Sequence, residues 1–479
     1  MLIPEICYLL LIHPSLRKPF TPAFYRHHQN QHNMSTNLAA PVRQSDRIII
    51  IDSLRGFAIL GILLMNIPGF GLAVPVGWDP SVLNETGINA KIWHFVEWFP
   101  EGTQRAIFSM LFGAGVLLFT SRLEKRTEGT LPVDFFIKRQ LWLMVFGLVD
   151  IYILLWRGDI LFDYACCGLI MVAFRKLSGK HLLIGAGVCF LLMVARENRD
   201  FYQDKKVITR GEAIAAMDTS VTKLTDIQKE RLNAMKDFKE NNTHEKKVKR
   251  MQKSILNTTG SYEDLYEYRT SQYINSLVRY LYLGIWDILL FMFLGMALFK
   301  LGILTGEASV KWYWIMAIGG LGLGLTVSYF RAQSAIDYNF NWFELTKHTK
   351  FEAYTLSRTL RALGIFGTLM LLFKSGWFKW LFNMMRPVGQ MAFTNYLTQS
   401  LICGIIFYGT VGFGMFGKMQ RYEVYCVVLS IWVLQIIWSN IWLRYFNFGP
   451  MEWAWRSLTY WKKQPFRKVK VSKESTGPA

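Results

Sequence analysis

Charge is what this 479-residue chain has least of: Asp, Glu, Lys and Arg make up 18% of it, where soluble domains carry about a quarter. The shortage is uneven. Long stretches hold almost no charge and the charges crowd into the gaps between them, which argues against two or three soluble domains. Cysteine is sparse too. The six cysteines (Cys7, Cys166, Cys167, Cys189, Cys403 and Cys426) form no CxxC pair, so no disulfide framework is written here. Most of them fall in or beside apolar runs, as small hydrophobes do. No phosphate loop, nucleophile elbow or metal-ligand cluster is found.

What is present is apolar length. Hydrophobic residues reach 52% and aromatics 15%, and a bilayer core needs about 20 apolar residues per helix. Ten such spans can be read, at 48–69, 104–121, 138–156, 159–175, 180–195, 277–299, 312–331, 355–375, 389–409 and 422–446. The expected fold is all-α, a polytopic transmembrane helix bundle of about ten helices. Residues 46–195 and 277–450 would each supply about half of them, and 451–479 would form a basic cytoplasmic tail. Segment 1–45 reads as disordered or mis-annotated: its apolar run Cys7 to Ile12 is too short for a signal peptide, and Met34 is a plausible start.

The net charge of +20 invites a nucleic-acid reading, but its placement argues against one. Arg43 and Arg47 precede the first span. Arg122, Lys125, Arg126, Lys138 and Arg139 lie between the second and third, and Arg175, Lys176 and Lys180 between the fourth and fifth. Lys300 and Lys311, then Lys374, Lys379 and Arg386, occupy two later loops, and the tail adds Lys462, Lys463, Arg467, Lys468, Lys470 and Lys473. These are alternate loops, so the positive-inside rule puts both ends in the cytoplasm. The expected partner is the lipid bilayer of a cell membrane, a bacterial inner membrane by this reading, with a homodimer as candidate assembly and no nucleic acid. Segment 196–276 breaks the apolar text with mixed charge. It reads as a charged extramembrane insert, helical from about 211 to 256, either a solvated hairpin or mobile insert, or a binding domain.

A charge inside a span costs about 2.5–3.5 kcal/mol on insertion scales, which makes it a functional candidate. Asp52 and Arg55 are three apart on one face of the first span and can pair; Gly56 permits close helix approach, and Asn66 lies near the same side farther along. The alternative is a structural ion pair. Asp159 and Asp163 share a face, followed by Tyr164, and Asp159 suits a helix cap. Asp163 and Asp150 are not explained by packing. Asn395 and Gln399 share another face, as helix glue or as a polar cavity, and Glu452 and Arg456 stand four apart after the last span. His94 shares a helical face with Glu97. It is a candidate proton carrier, set against a plain interfacial anchor.

Several of these strings together resemble one family. Arg47 to Asn66, Phe108 to Gly115 and Gly158 to Ala165 look like the YeiB-like membrane proteins. Gly389 to Ser400 and Gly449 to Arg456 resemble that family's C-terminal domain of unknown function, numbered 418. More distantly the chain is similar to transmembrane acyltransferases, which share a first-helix D-x-x-R-G followed by Asn. That resemblance implies acyl transfer from cytosolic acyl-CoA, a co-substrate and not a tightly bound cofactor, to a hydroxyl or amine on the outer side. The acceptor would be a glycan, lipid or small molecule. Asp52, Arg55, Asn66, Asp163 and His94 would then be catalytic, and Asp159, Tyr164, Asn395, Gln399, Glu452 and Arg456 would bind substrate. Asp163 or Asp150 could act as base where His is absent. The competing readings are a transporter or flippase that uses the intramembrane Asp and Arg groups, and a membrane scaffold.

Overall fold

A computed structural model describes residues 48–125, 131–217, 223–410 and 412–468. The leading segment 1–45 and the end of the basic tail lie outside the described residues. The architecture is all-helical: α1 Ile49–Gly71, α2 Gly87–Trp98, α3 Thr103–Glu124, α4 Leu131–Tyr152, α5 Leu161–Met171 and α6 Gly179–Ala215. There follow α7 Asp226–Asn241, α8 His244–Thr259, α9 Tyr262–Arg279, α10 Ile285–Lys300 and α11 Val310–Asp337. The last are α12 Trp342–His348, α13 Tyr354–Ser375, α14 Lys379–Gln390, α15 Ala392–Phe407, α16 Arg421–Tyr445 and α17 Pro450–Tyr460. Among the described residues no strand occurs, only an isolated bridge between Phe446 and Arg467.

Among the described residues seven segments are long and apolar enough to cross a membrane, and two shorter apolar helices, Leu161–Phe174 and Ala392–Phe407, accompany them. Each of the ten spans read from the sequence falls on a helix. The expected third span begins earlier, because α4 already starts at Leu131. The expected ninth span is the short α15, and the loop read before it, with Lys379 and Arg386, is itself a helix, α14, which breaks from α15 at Met391.

Packing separates an inner set of helices from an outer one. In α1 and α10 most residues of the apolar window are buried, whereas α6 buries 22%, α11 28% and α16 33%. The outward residues of α6 and α16 include Ile184, Val188, Leu191, Leu429, Val433 and Ile437. Apolar faces this long, turned outward, need a lipid solvent.

Glycines set the closest crossings. A β-carbon on Gly56 would collide with the Met385 carbonyl, and one on Gly389 with the Asp52 carbonyl. Helices α1 and α14 therefore touch backbone to backbone. Gly113 and Gly295 do the same for α3 and α10, against Met292 and Met110. Small residues at both faces are what let membrane helices approach this closely.

The basic loops gather at one end of the bundle. Arg175 pairs with Glu124 at 3.1 Å. Lys300 donates to the Arg175 carbonyl at 2.8 Å, and Lys374 to that of Gly306 at 2.6 Å. The charged insert sits at the opposite end, where it is packed down. Lys247 is buried, bridging to Asp79 at 2.7 Å and donating to the Phe340 carbonyl at 2.9 Å. The Val74 amide donates to the Ser254 hydroxyl at 3.2 Å. Helix α6 runs on from the apolar region as far as Ala215, so the helical content reaches beyond the 211–256 read from the sequence.

Candidate functional site

At the basic end, α1, α3, α4, α5, α14, α15 and α17 enclose a cavity of about 260 Å³. Its mouth carries Asp52, Arg55, Arg122, Arg139, Gln390, Glu452 and Arg456. Arg55 Nη1 donates to Asp52 Oδ1 at 3.2 Å, and Gln390 Nε2 donates to Asp52 Oδ2 at 3.1 Å. The close crossing of α1 and α14 is what brings Gln390 within reach. Arg139 lies over the Trp455 ring at 3.5 Å and over Phe119 at 5.3 Å. Trp455 Nε1 in turn donates to the Arg139 carbonyl at 2.8 Å. Each side chain thus fixes the other.

Glu452 does not pair with Arg456. Its Oε1 accepts from the amides of Phe393 at 2.7 Å and Thr394 at 3.1 Å, and its Oε2 accepts from the Thr394 hydroxyl at 2.5 Å. It caps α15, a helix whose first amides have no intrahelical acceptor. Burial pushes its carboxyl up from the ordinary value, opposed by those same hydrogen bonds. Arg456 stands over the Phe448 ring at 4.6 Å. Burial lowers its guanidinium from its usual value. With both acids of the mouth engaged elsewhere, Arg139 and Arg456 make no ion pair among the described residues.

Below the mouth the walls turn apolar, with Phe108, Leu111, Phe112, Phe119, Leu143 and Leu161. The floor holds Ile160 and two tyrosines. The hydroxyls of Tyr164 and Ser109 lie 2.6 Å apart, and both also donate to the Arg105 carbonyl. The Tyr396 hydroxyl accepts from the Ile160 amide at 3.1 Å and donates to Asp159 Oδ1 at 3.4 Å. Asp159 Oδ2 accepts from the Phe162 amide at 2.9 Å, which places it as a cap on α5. Asp150 is fully buried beyond this floor, beside Asp159 and Ser400.

The residues singled out in the sequence do not all meet. Asp52, Arg55, Tyr164, Glu452 and Arg456 line the cavity; Asn66, His94, Asp159, Asp163, Asn395 and Gln399 do not. Asn66 is half-buried toward the insert end of α1. His94 packs edge-on to Tyr329 at 6.0 Å, remote from the cavity. Asp163 is half-buried on α5, directly before the floor tyrosine. Asn395 donates to the Val388 carbonyl and to Ser439, each at 3.1 Å, and accepts from Trp438 at 2.8 Å. Gln399 donates to Gln435 at 2.9 Å. Both act as glue between α15 and α16.

The sequence reading passed over Arg122, Arg139, Gln390, Tyr396 and Trp455 as site residues. It also missed an ion cluster nearer the insert end. Asp287 of α10 is held by Arg105 and Arg358. Tyr354 donates to Glu101 at 2.8 Å, and Arg331 bridges to Glu352 at 2.7 Å. Asp287 and Arg358 lie inside apolar spans, so the rule that flagged Asp52 would have found them.

Comparison with known proteins agrees with this architecture. Residues 298–462 match the family described as "Protein of unknown function (DUF418)". The match covers α11 to α17, and so supplies the Gly389–Tyr396 and Glu452–Tyr460 walls of the cavity. The chain is 28% identical to the "Uncharacterized protein YeiB" of Escherichia coli (strain K12), over 86% of this chain and 96% of that protein. It is 26% identical to the "Uncharacterized protein YxaH" of Bacillus subtilis (strain 168), over 90% of this chain and 99% of that one. No solved structure matches. Over most of its length the chain is thus similar to the YeiB-like membrane proteins, and its C-terminal part matches the DUF418 family.

Proposed function

We propose that the protein is a membrane acyltransferase that takes an acyl group from cytosolic acyl-CoA and passes it to a hydroxyl or amine at the insert end. The observation that carries this reading is the cavity itself. It sets two arginines that pair with no carboxylate among the described residues, Arg139 and Arg456, at the rim of an apolar throat. A guanidinium fork matches phosphate oxygens in pairs. An apolar throat suits an acyl chain, at about 25 cal/mol per Å² of buried surface. A thioester of coenzyme A carries both chemistries in one molecule.

In this reading Arg55, oriented by Asp52, adds a third cation at the mouth, and the floor receives the thioester carbonyl. The acceptor oxygen or nitrogen attacks that carbonyl and a new C–O or C–N bond forms. The C–S bond breaks, and the sulfur leaves with the acceptor's proton. Tyr396 and Tyr164 would supply hydrogen bonds to the developing oxyanion once their hydroxyls turn from Asp159 and the Arg105 carbonyl, to which they donate in this structure. The test is purified protein in nanodiscs with labelled acetyl-CoA. Binding, and slow hydrolysis or transfer lost in Arg139→Gln, supports the reading. Folded protein that neither binds nor consumes acyl-CoA overturns it.

One observation favours a second reading, a transporter: Asp287, clamped by two arginines, lies inside an apolar span nearer the insert end than the cavity. Counterflow of an amphipathic anion in proteoliposomes, with no acyl chemistry, would support this instead.

A further inference from the structure

A second pair of arginines, outside the cavity, lies at the insert end. Arg269 of α9 is 2% exposed. A guanidinium has five N–H donors and no way to lose its charge. Here Nη1 reaches the Gly69 carbonyl only at 3.5 Å, and Nε and Nη2 have no acceptor. The ring faces of Tyr408 at 5.1 Å and Phe416 at 5.5 Å hold the cation. Rings compensate the charge, but they leave the N–H groups unsatisfied. The neighbouring charge is another cation: Arg157, half-buried in the loop between α4 and α5, feels the repulsion of Arg269.

Among the described residues neither arginine makes an ion pair. Asp159, two residues from Arg157, is turned to Tyr396 and to the α5 amide of Phe162. Asp264 of α9 accepts from Ser261. The same loop is pinned from the other side by Tyr408, whose hydroxyl donates to the Leu155 carbonyl at 3.2 Å. Phe70 stacks on Trp156 at 3.8 Å. Two like charges are thus held together by aromatic packing, one buried with open donors and the other half-exposed beside it.

We propose that Arg157 and Arg269 form a binding site for a phosphate group that enters from the insert end. Arg269 would supply two N–H donors from below and Arg157 would close over the group from the accessible side. An oxyanion bound between paired guanidinium groups removes their mutual repulsion and fills the unsatisfied donors at once. The site also lies back to back with the cavity, because Arg157 and the floor residue Ile160 are three apart in one short loop. It deepens the acyl-transfer reading by giving the acceptor a negative charge, and rests on that reading only for the role of acceptor. The site itself is tested without any acyl donor.

The experiment is calorimetry on the full chain in nanodiscs, with inorganic phosphate and with dihexanoyl phosphatidic acid as probes, each in the presence of excess coenzyme A to occupy the cavity. Binding of either probe is expected, weakened about tenfold or more in Arg157→Gln and in Arg269→Gln, and unchanged in the surface control Lys229→Gln. Binding of phosphate alone points to a soluble anion, and binding of the lipid alone to a headgroup. Absence of heat with both probes overturns the proposal, as does wild-type affinity in the two arginine variants. Should Arg269→Gln fail to fold, Arg157→Gln, at a half-buried loop position, decides alone.

Discussion

Glu452 and Arg456 stand one turn apart on α17, in ion-pair spacing, yet the glutamate turns away to cap α15 and leaves the arginine to the cavity. The pairing that sequence spacing suggests is replaced by a tertiary one. Two helices distant in sequence are joined by three hydrogen bonds from a single carboxylate.

Replacing Glu452 with alanine should therefore destabilise the fold by about 2–3 kcal/mol, since two buried amides lose their acceptor. Glu452→Gln keeps one acceptor oxygen and should cost about half as much. Thermal unfolding of the purified protein reads both. The raised carboxyl adds a pH signature. A folded-state value above the unfolded 4.5 means that the folded protein binds the proton more tightly. Its contribution is full below pH 4.5 and is lost as pH rises through the folded value. Wild-type stability relative to Glu452→Gln should accordingly fall with rising pH just above 4.5, and a flat difference would count against the assignment.

Arg139 is stacked on Trp455, and lysine cannot reproduce a planar stack or a bidentate fork. Arg139→Lys should weaken acyl-CoA binding about tenfold, and Trp455→Leu by a smaller factor through loss of the cation–π contact. Isothermal titration with a non-hydrolysable acyl-CoA measures both. Equal affinity in wild type and Arg139→Lys would detach Arg139 from the ligand.

The glycines divide into two kinds. Gly56→Ala and Gly389→Ala place a β-carbon against backbone and should each cost more than about 2 kcal/mol, seen as lost yield or a lowered melting temperature. Gly319→Ala and Gly322→Ala meet open space on α11 and should be neutral, or stabilising by up to about 1 kcal/mol. If the Gly319 and Gly322 variants also failed, helix bending at the π-turn between Ile315 and Gly320 would be the better account of that segment.

Asp287→Asn should be the most damaging single change in the membrane core, about 3–5 kcal/mol, because it strands two guanidinium groups. Combining it with Arg358→Met should recover part of the loss. A double variant no better than the single would mean that the pair is not coupled.

Much of the fold was legible, because apolar length and alternating basic loops are both read along one dimension. That each of the ten apolar stretches falls on a helix, and that Arg175, Lys300 and Lys374 gather at one end, follow from that pattern. The site was legible only where a motif lay on one helix, as with Asp52 and Arg55. Arg139 read as a loop cation; its role depends on Trp455, more than three hundred residues away in sequence. Asn66 and His94 shared a chemical class with the site but sit toward the opposite end of the bundle, and spacing along the first helix carries no information about depth. Asn395 and Gln399 face α16 because Gln435 and Ser439 are there to receive them, which only the packed helices reveal.

The first and last described helices meet at the cavity: α1 brings Asp52 and Arg55, and α17 brings Trp455 and Arg456. A ribosome makes the first of these helices early and the last near the close of translation, at about 5–20 residues per second. The cavity therefore cannot be complete in a nascent chain that has not yet reached α17, and a truncation before Pro450 removes one wall of it as well as the cap on α15. The cavity closes only when α17, the last described helix to be made, packs back against the earlier ones.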